Sequence, residues 1–176
     1  MLTNKSALTV GQAAPGFKLP DLAGQFHSLQ DYQGKTVVIN FWSAECRWAK
    51  RADQEIIPLL EAWGDEVVYL SIASNANEGI EELAKTAEER GIPLVLRDGE
   101  QKVASLYNAE YTPHIFVIDP QGILRYQGAY DDVTFRQKEA TVNYLQGAVA
   151  AVMAGEGPDP AEVPTYGCTI VFYPMD

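Results

Sequence analysis

The sequence predicts an α/β fold in which a central mixed β-sheet is flanked by helices on both faces. Two nearly unbroken runs of β-branched and aromatic residues, 36–42 and 67–73, are typical of strands buried on both faces. A segment with helical spacing of its apolar residues follows each run, which is the order of parallel strand–helix–strand units. Two later runs flank Asp-Pro-Gln-Gly at residues 119–122, which predicts an antiparallel hairpin in the same sheet.

The N-terminal part is predicted to form a β-hairpin and then the first buried strand. Residues 14–20 and 24–29 are expected to be short strands around a turn that contains Pro, Asp and Gly. After the strand over residues 36–42, apolar residues recur at steps of three and four over about 46–63, which indicates a helix. Pro58 lies inside this pattern, so we expect the helix to kink or break there.

The middle of the chain repeats the order of strand and helix. The strand over residues 67–73 leads through a polar loop to a helix over about 78–90. Glu78 and its acidic neighbours are assigned to a solvated face, near a helix N-terminus that favours negative charge. A short strand at residues 93–96 and a short helix at 101–106 are expected to follow.

The C-terminal part is predicted to hold the hairpin, one more helix and a tail. The hairpin strands are expected at residues 114–118 and 123–128, and the helix at about 141–153. Residues 155–165 are rich in Pro and Gly, so we expect an irregular tail. Residues 167–173 are a possible edge strand.

Length and composition indicate an ordinary globular chain. We expect one domain over residues 1–176, with a core over about 10–132 and a C-terminal helix and tail over about 133–176. A formal net charge of −11 argues against nucleic acid or an anionic membrane as a partner. No apolar run approaches the ~20 residues that cross a bilayer, and residues 1–6 lack the apolar stretch of a secretory signal. We therefore expect a cytoplasmic protein.

The chemistry is expected to depend on two cysteines, which are too few for a disulfide scaffold or a thiolate zinc site. Cys46 stands at the junction of a buried strand and a helix N-terminus, where unpaired N–H groups and the helix dipole favour the nucleophilic thiolate. Arg47 adds positive charge nearby, whereas Glu45 acts against it. The alternative is that Cys46 only fills space in the core.

Other candidate residues lie close to Cys46 in the expected fold. His114 could join Cys46 and Cys168 in a soft-ligand metal site, but hydrogen-bonded packing along its strand is favoured, so we expect neither metal nor cofactor. Trp48 follows the cysteine on the first helical turn. It either belongs to the core, shields the sulfur or forms a docking surface, and the sequence does not choose among these.

Two motifs resemble the thioredoxin-like superfamily. The pattern Phe-Trp-x-x-x-Cys at residues 41–46 is similar to the strand-to-helix entry of thioredoxins and thiol–disulfide oxidoreductases. The sequence Tyr-Thr-Pro at residues 111–113 resembles the cis-proline loop that faces the active cysteine in that superfamily. The resemblance implies a thioredoxin fold in which Thr112 and Pro113 shape the site of Cys46.

Two further segments are similar to the peroxiredoxin-like branch of the alkyl hydroperoxide reductase/thiol-specific antioxidant family. The branch often carries Tyr-x-Gly-x-x-Asp-Asp after the hairpin, and this chain has that pattern at residues 126–132. The branch also often ends in Pro-x-x-Gly-Cys-(Ser/Thr)-Ile, which is matched by residues 164–170. The resemblance therefore extends from the core to the C-terminus.

The chain departs from these families at several positions. Ala49 stands where thioredoxin-type enzymes have their second cysteine, so a disulfide within the helix is impossible. Ser43 fits the hydroxyl position of the peroxiredoxin motif, but Ile39 replaces its proline. The peroxiredoxin arginine is also missing at the aligned position, and Arg47 or Arg125 could substitute for it.

The resemblance implies a thiol-dependent redox protein, either a peroxiredoxin-like antioxidant or a thiol–disulfide oxidoreductase. The Cys46 thiolate would attack a peroxide or a disulfide, and an external thiol would restore the reduced protein. If the tail folds back over the strand ends, Cys168 would resolve the intermediate, and Ser43 could donate a hydrogen bond to the thiolate. The alternative hypothesis is a binding or scaffold domain without turnover, in which Cys168 is inert. Ala49, the missing arginine and Ser43, which stands where the branch often has another cysteine, favour it.

Overall fold

The computed structural model describes residues 7–174. The first six residues, on which the expectation of a cytoplasmic protein depends, lie outside the described part. The strands and helices follow the predicted order along the chain. The strands are β1 (Lys18–Pro20), β2 (Phe26–Ser28), β3 (Thr36–Trp42), β4 (Val67–Ala73), β5 (Val95–Arg97), β6 (Tyr111–Thr112), β7 (His114–Ile118), β8 (Leu124–Gly128) and β9 (Cys168–Thr169). The helices are α1 (Arg47–Trp63), α2 (Ile80–Arg90), α3 (Lys102–Leu106) and α4 (Tyr144–Met153).

The central sheet has five strands in the order β5-β4-β3-β7-β8. Strands β3, β4 and β5 run parallel, whereas β7 pairs antiparallel with both β3 and β8. All seven residues of β3 are buried, as expected for a central strand covered on both faces. The predicted mixed sheet is confirmed, and β1 and β2 form the predicted N-terminal hairpin.

Helices cover both faces because side chains of β3 alternate between two apolar clusters. Ile39 and Phe41 point into a cluster that includes residues of α3. Val38, between them, points into the opposite cluster, which α1 and α4 complete. A third cluster joins α2 to the start of α1 and contains Cys46. The cysteine is thus anchored where a buried strand ends and two helices meet.

Helix α1 runs unbroken through Pro58, so the predicted break is wrong. A proline inside a helix removes one backbone N–H, and here the carbonyl without a partner belongs to Gln54. Both Gln54 and Pro58 are exposed, so water can bind that carbonyl and the cost of the missing hydrogen bond is small.

The tail returns from α4 to the sheet. Gln127 of β8 accepts from the N–H of Val163 at 3.2 Å and donates its own N–H to the carbonyl of Ala161 at 3.1 Å. A Cβ added to Gly128 would lie 2.1 Å from the Val163 carbonyl oxygen, so only glycine allows this close passage. The chain then pairs β9 with β6. Across residues 7–174, none of the helices has the length and apolar character needed to cross a bilayer.

Candidate active site

Cys46 occupies the N-cap position of α1 and is 3% exposed. Its sulfur accepts a hydrogen bond from the N–H of Ala49 at 3.4 Å, one of the donors that a helix N-terminus leaves unpaired. Its thiol donates to the carbonyl oxygen of Thr112 at 3.2 Å. The peptide bond between Thr112 and Pro113 is cis. The sequence motifs at residues 41–46 and 111–113 therefore meet at one sulfur atom.

Cys168 lies directly beside Cys46. The antiparallel pair of β6 and β9 places Cys168 opposite Thr112, the residue whose carbonyl contacts the Cys46 thiol. The two Sγ atoms of the free thiols are 2.6 Å apart, whereas a disulfide requires ~2.05 Å. The tail thus folds back over the strand ends, and the two cysteines lie within reach of a disulfide with little movement.

Gly167 makes this approach of the tail possible. A Cβ added to Gly167 would lie 2.0 Å from the carbonyl oxygen of Thr112 and 3.3 Å from a ring carbon of Pro113. Real contacts of this kind do not occur, so any larger residue would push β9 away from β6. The close contact with Thr112 therefore explains why glycine precedes Cys168 in the sequence motif.

The protonation of Cys168 depends on its surroundings. Burial raises the pKa of the Cys168 thiol to about 11, and the neighbouring Cys46 adds to this effect. The backbone N–H groups of Trp48 and Arg47 act in the opposite direction. Cys168 therefore keeps its proton at neutral pH.

A buried carboxylate organises the loop before Cys46. Glu78 is 4% exposed, so its assignment to a solvated helical face is wrong. One carboxylate oxygen accepts from the hydroxyl of Ser43 at 3.2 Å and from the N–H groups of Ala44 and Glu45 at 2.5 and 3.2 Å. Because the Ser43 hydroxyl donates to Glu78, the hydrogen bond that we expected it to give the Cys46 sulfur is not formed.

The other oxygen of Glu78 connects this loop to the tail. It accepts from the side-chain amide of Asn75 at 2.5 Å, and the amide oxygen of Asn75 accepts from the N–H of Val171 at 2.8 Å. The roles of Glu78 and Asn75 at the site were not predicted from the sequence. Both residues follow the carboxyl end of β4, and parallel strands present their carboxyl ends at one edge of a sheet, so their position after this strand could have indicated that they lie near Cys46.

A second network holds the same loop from the side of α2. Arg90 donates to the carbonyl of Ala44 at 2.5 Å and to the Asp53 carboxylate at 3.0 Å. Asp53 also accepts from the indole N–H of Trp42 at 2.9 Å. Burial raises the pKa of Asp53, although the hydrogen bonds from Trp42 and Arg90 oppose this. The loop before Cys46 is thus fixed by a buried acid on each side.

Neither of the two arginines that could substitute for the peroxiredoxin arginine binds the Cys46 sulfur. The guanidinium of Arg47 lies over the rings of Trp48 and Phe135, at 5.4 and 5.1 Å from their centroids. Arg125 donates to Asp119 at 2.7 Å. Within the described chain, no arginine donates a hydrogen bond to Cys46. Trp48 packs partly against the cluster of Cys46 and partly against the exposed ring of Phe135, so it combines core and surface roles.

His114 begins β7 and stacks on Phe116, with their ring centroids 4.5 Å apart. Within the described residues its buried Nδ1 has no hydrogen-bond partner, so the expected hydrogen-bonded packing is wrong. Burial lowers the pKa of His114 to about 4, so the ring is neutral at physiological pH. Over residues 7–174, no group of three or more His, Cys, Asp or Glu side chains is arranged to hold a metal ion.

The fold and the paired thiols define a thioredoxin-fold protein. An uncharacterized conserved protein from Geobacillus kaustophilus has a similar crystal structure, with a TM-score of 0.88 and 27% identity over 96% of this chain and 94% of that chain. The crystal structure of a hypothetical protein from Sinorhizobium meliloti 1021 has a TM-score of 0.86 and 27% identity, and the match covers 96% of this chain and 97% of that chain. The thioredoxin domain of a thiol-disulfide oxidoreductase from Bacteroides vulgatus has a TM-score of 0.62 and 26% identity, and the match covers 69% of this chain and 89% of that chain.

The chain belongs to the AhpC/TSA family, which matches residues 10–127. Thiol-disulfide oxidoreductase ResA from Geobacillus kaustophilus is 37% identical over 68% of this chain and 69% of its own. Thiol:disulfide interchange protein DsbE from Escherichia coli K12 is 32% identical over 73% of this chain and 70% of its own. The family and these relatives support the predicted thiol-based redox function.

Proposed function

We propose that the chain is a thiol–disulfide oxidoreductase in which Cys46 attacks a substrate disulfide and Cys168 resolves the intermediate. The observation that carries this proposal is the separation of 2.6 Å between the two sulfur atoms, which lie on segments 122 residues apart in sequence. Ala49 removes the partner cysteine within the helix, and Cys168 supplies a partner from the tail instead.

The reaction has two exchange steps. The Cys46 thiolate attacks one sulfur of the substrate disulfide, which forms a mixed disulfide and releases the other substrate sulfur as a thiolate that takes up a proton. Cys168 then loses its proton and attacks the Cys46 sulfur. This breaks the mixed disulfide, releases the second substrate thiol and leaves a Cys46–Cys168 disulfide. The substrate gains the two electrons that the protein loses, and an external dithiol returns the protein to its reduced form.

The surroundings of the two thiols support an unequal division of roles. The N–H of Ala49 points at the Cys46 sulfur from a helix N-terminus, where a thiolate is stabilised. The raised pKa of Cys168 keeps that thiol protonated until it is needed for the second step. The names of the relatives ResA and DsbE point to disulfide substrates. Peroxide reduction, the other reaction that the family resemblance implies, stays a prediction, as does a cytoplasmic location.

The test is to trap each intermediate. The reduced protein is mixed with a peptide disulfide, quenched with acid and alkylating agent, and mapped by mass spectrometry. We expect the wild type to form the Cys46–Cys168 disulfide, Cys168→Ser to accumulate a mixed disulfide on Cys46, and Cys46→Ser to remain unmodified. Two unreacted thiols in the wild type would support the scaffold alternative, and a mixed disulfide on Cys168 in Cys46→Ser would reverse the assigned roles.

A further inference from the structure

A cleft of about 330 Å³ lies beside the cysteine pair, between the start of α1 and the loop that follows β8. We call it the basic cleft and define it by Arg47, Trp48, Arg51, Phe135 and Lys138. The backbone N–H groups of two of these residues, Arg47 and Trp48, face the Cys168 sulfur, so one end of the cleft lies beside the cysteine pair.

Aromatic side chains form one wall of the basic cleft. The ring of Trp48 meets Phe135 and Tyr166 edge-on, with centroids 5.5 and 5.1 Å apart. Tyr166 comes two residues before Cys168, so this wall joins the cleft to the tail. The guanidinium of Arg47 rests on two of the rings, which holds it in place and leaves its N–H groups able to bind a carboxylate.

The charge of the basic cleft is opposite to that of the molecule. The chain carries a formal net charge of −11, yet residues 47–51 hold three basic side chains and no acidic one. Asp131 faces the cleft region but is engaged by Arg51, at 2.5 Å. Within the described residues, neither Arg47 nor Lys138 has an acidic partner within 4.0 Å.

The loop that carries Phe135 and Lys138 is held by hydrogen bonds to the carboxylate of Asp132. Asp132 accepts from the N–H groups of Thr141 and Val142 at 2.9 and 3.2 Å and from the side chain of Gln137 at 2.6 Å. These hydrogen bonds, led by that of the Thr141 hydroxyl, lower the pKa of Asp132. Asp132 is not among the residues that line the basic cleft, whereas the exposed Lys138 side chain lines it and brings its positive charge there.

We propose that the basic cleft binds an acidic segment of a polypeptide disulfide substrate. This inference rests on the proposed function, because it specifies which disulfides Cys46 would attack. Carboxylates held by Arg47 and Lys138 would place a substrate disulfide a few residues away, next to the cysteine pair. An apolar wall beside separated cations suits acidic side chains interspersed with aromatic or aliphatic ones.

The test compares two peptides that share one disulfide and differ only in flanking Asp or Lys residues. We expect kcat/KM of the wild type to be at least about tenfold higher for the Asp peptide at low ionic strength, and the two values to converge in high salt. Lys138→Glu should abolish or invert the preference. Lys85→Glu on the exposed face of α2 changes the net charge equally and should preserve it. Both side chains are exposed, and the ion pair of Lys85 with Glu89 lies on the surface, where such pairs contribute little to stability, so both variants should fold.

A small uncharged disulfide, 2-hydroxyethyl disulfide, separates failure of the docking proposal from failure of the proposed function. If the wild type reduces it but treats the two peptides equally, or if Lys138→Glu keeps the preference for Asp, the docking proposal is wrong and the function stands. If neither the small disulfide nor either peptide is reduced, both proposals are wrong.

Discussion

Asn75 and Glu78 share a hydrogen bond of 2.5 Å that connects the loop before Cys46 to the tail that carries Cys168. Three donors of the loop converge on one oxygen of Glu78, and the backbone N–H of Val171 in the tail donates to Asn75. The two cysteines come from distant parts of the sequence. This short polar connection therefore fixes the segments that carry them relative to each other.

Replacing Glu78 should loosen both segments. Glu78→Ala leaves the buried N–H of Ala44 without an acceptor, which costs about 1–3 kcal/mol of unfolding free energy, as urea denaturation of the reduced protein would measure. Glu81→Ala, at an exposed acid in the first turn of α2, is the control and should change stability by less than about 0.5 kcal/mol.

The conservative variant isolates the connection to the tail. Glu78→Gln keeps one oxygen for the loop donors but presents an N–H group to the amide of Asn75, so only the contact toward the tail is lost. We expect the Cys46–Cys168 disulfide to become easier to reduce in a glutathione redox buffer. An unchanged equilibrium would mean that Asn75 and Glu78 do not position the tail.

The fold was largely predictable because buried strands carry an unambiguous pattern. The run over residues 36–42 is apolar on both faces, and β3 has the predicted bounds. Cys46 was identifiable because the junction of such a strand with a helix can be located from the sequence alone. Pro58 was misjudged because the pattern does not show that its face of α1 is exposed to water.

The rest of the site depends on long-range contacts that local sequence patterns do not encode. Glu78 has the same local pattern as a solvated helix-start acid, and only its distant partners on the Cys46 loop distinguish it. Gly167 stood out as part of a motif, but its contact with Thr112 is across 55 positions of sequence, which spacing cannot reveal. The meeting of Cys168 with Cys46 required the path of the tail for the same reason.

The pH dependence of alkylation should show that Cys46 contributes to the raised pKa of Cys168. Since burial, aided by Cys46, raises the pKa of Cys168 to about 11, its rate of reaction with iodoacetamide should keep rising with pH up to that value. In Cys46→Ala the contribution of the neighbour is lost, so the curve should shift to lower pH. Peptide mapping after short exposures between pH 7 and 11 measures both curves. Coinciding curves would show that Cys46 does not affect Cys168.

His114 should make the protein less stable as the pH falls. Burial lowers its pKa to about 4 from an ordinary value of 6.5, so below pH 6.5 the unfolded chain binds a proton that the folded protein does not. The contribution to unfolding free energy is fully present above pH 6.5 and is lost as the pH falls toward 4, by at most about 3 kcal/mol.

His114→Phe keeps an aromatic ring on Phe116 and removes this titration. The difference in unfolding free energy between wild type and variant should therefore change between pH 7 and 4, with the wild type losing more. Urea denaturation at several pH values measures this difference, and because the carboxylates are common to both proteins their contributions cancel. A difference that stays constant with pH would contradict the expectation.

Gly167→Ala should separate the tail from the site while leaving the central sheet intact. The new Cβ would lie 2.0 Å from the Thr112 carbonyl oxygen, so β9 must move away from β6 and take Cys168 out of reach of Cys46. Overpacking of this kind costs about 1–3 kcal/mol, and moving the tail relieves it more easily than moving the buried Thr112 of β6.

In Gly167→Ala, the Cys46 thiol, 3% exposed beneath the tail in the wild type, should be alkylated at least about tenfold faster, because reagent reaches it without local opening. Gly157→Ala is the matched control in the same tail, since a Cβ there meets no atom within 4 Å and the rate should not change. Mass spectrometry of alkylated Cys46 over time measures all three proteins, and an unchanged rate in Gly167→Ala would mean that the tail does not cover the thiol in solution.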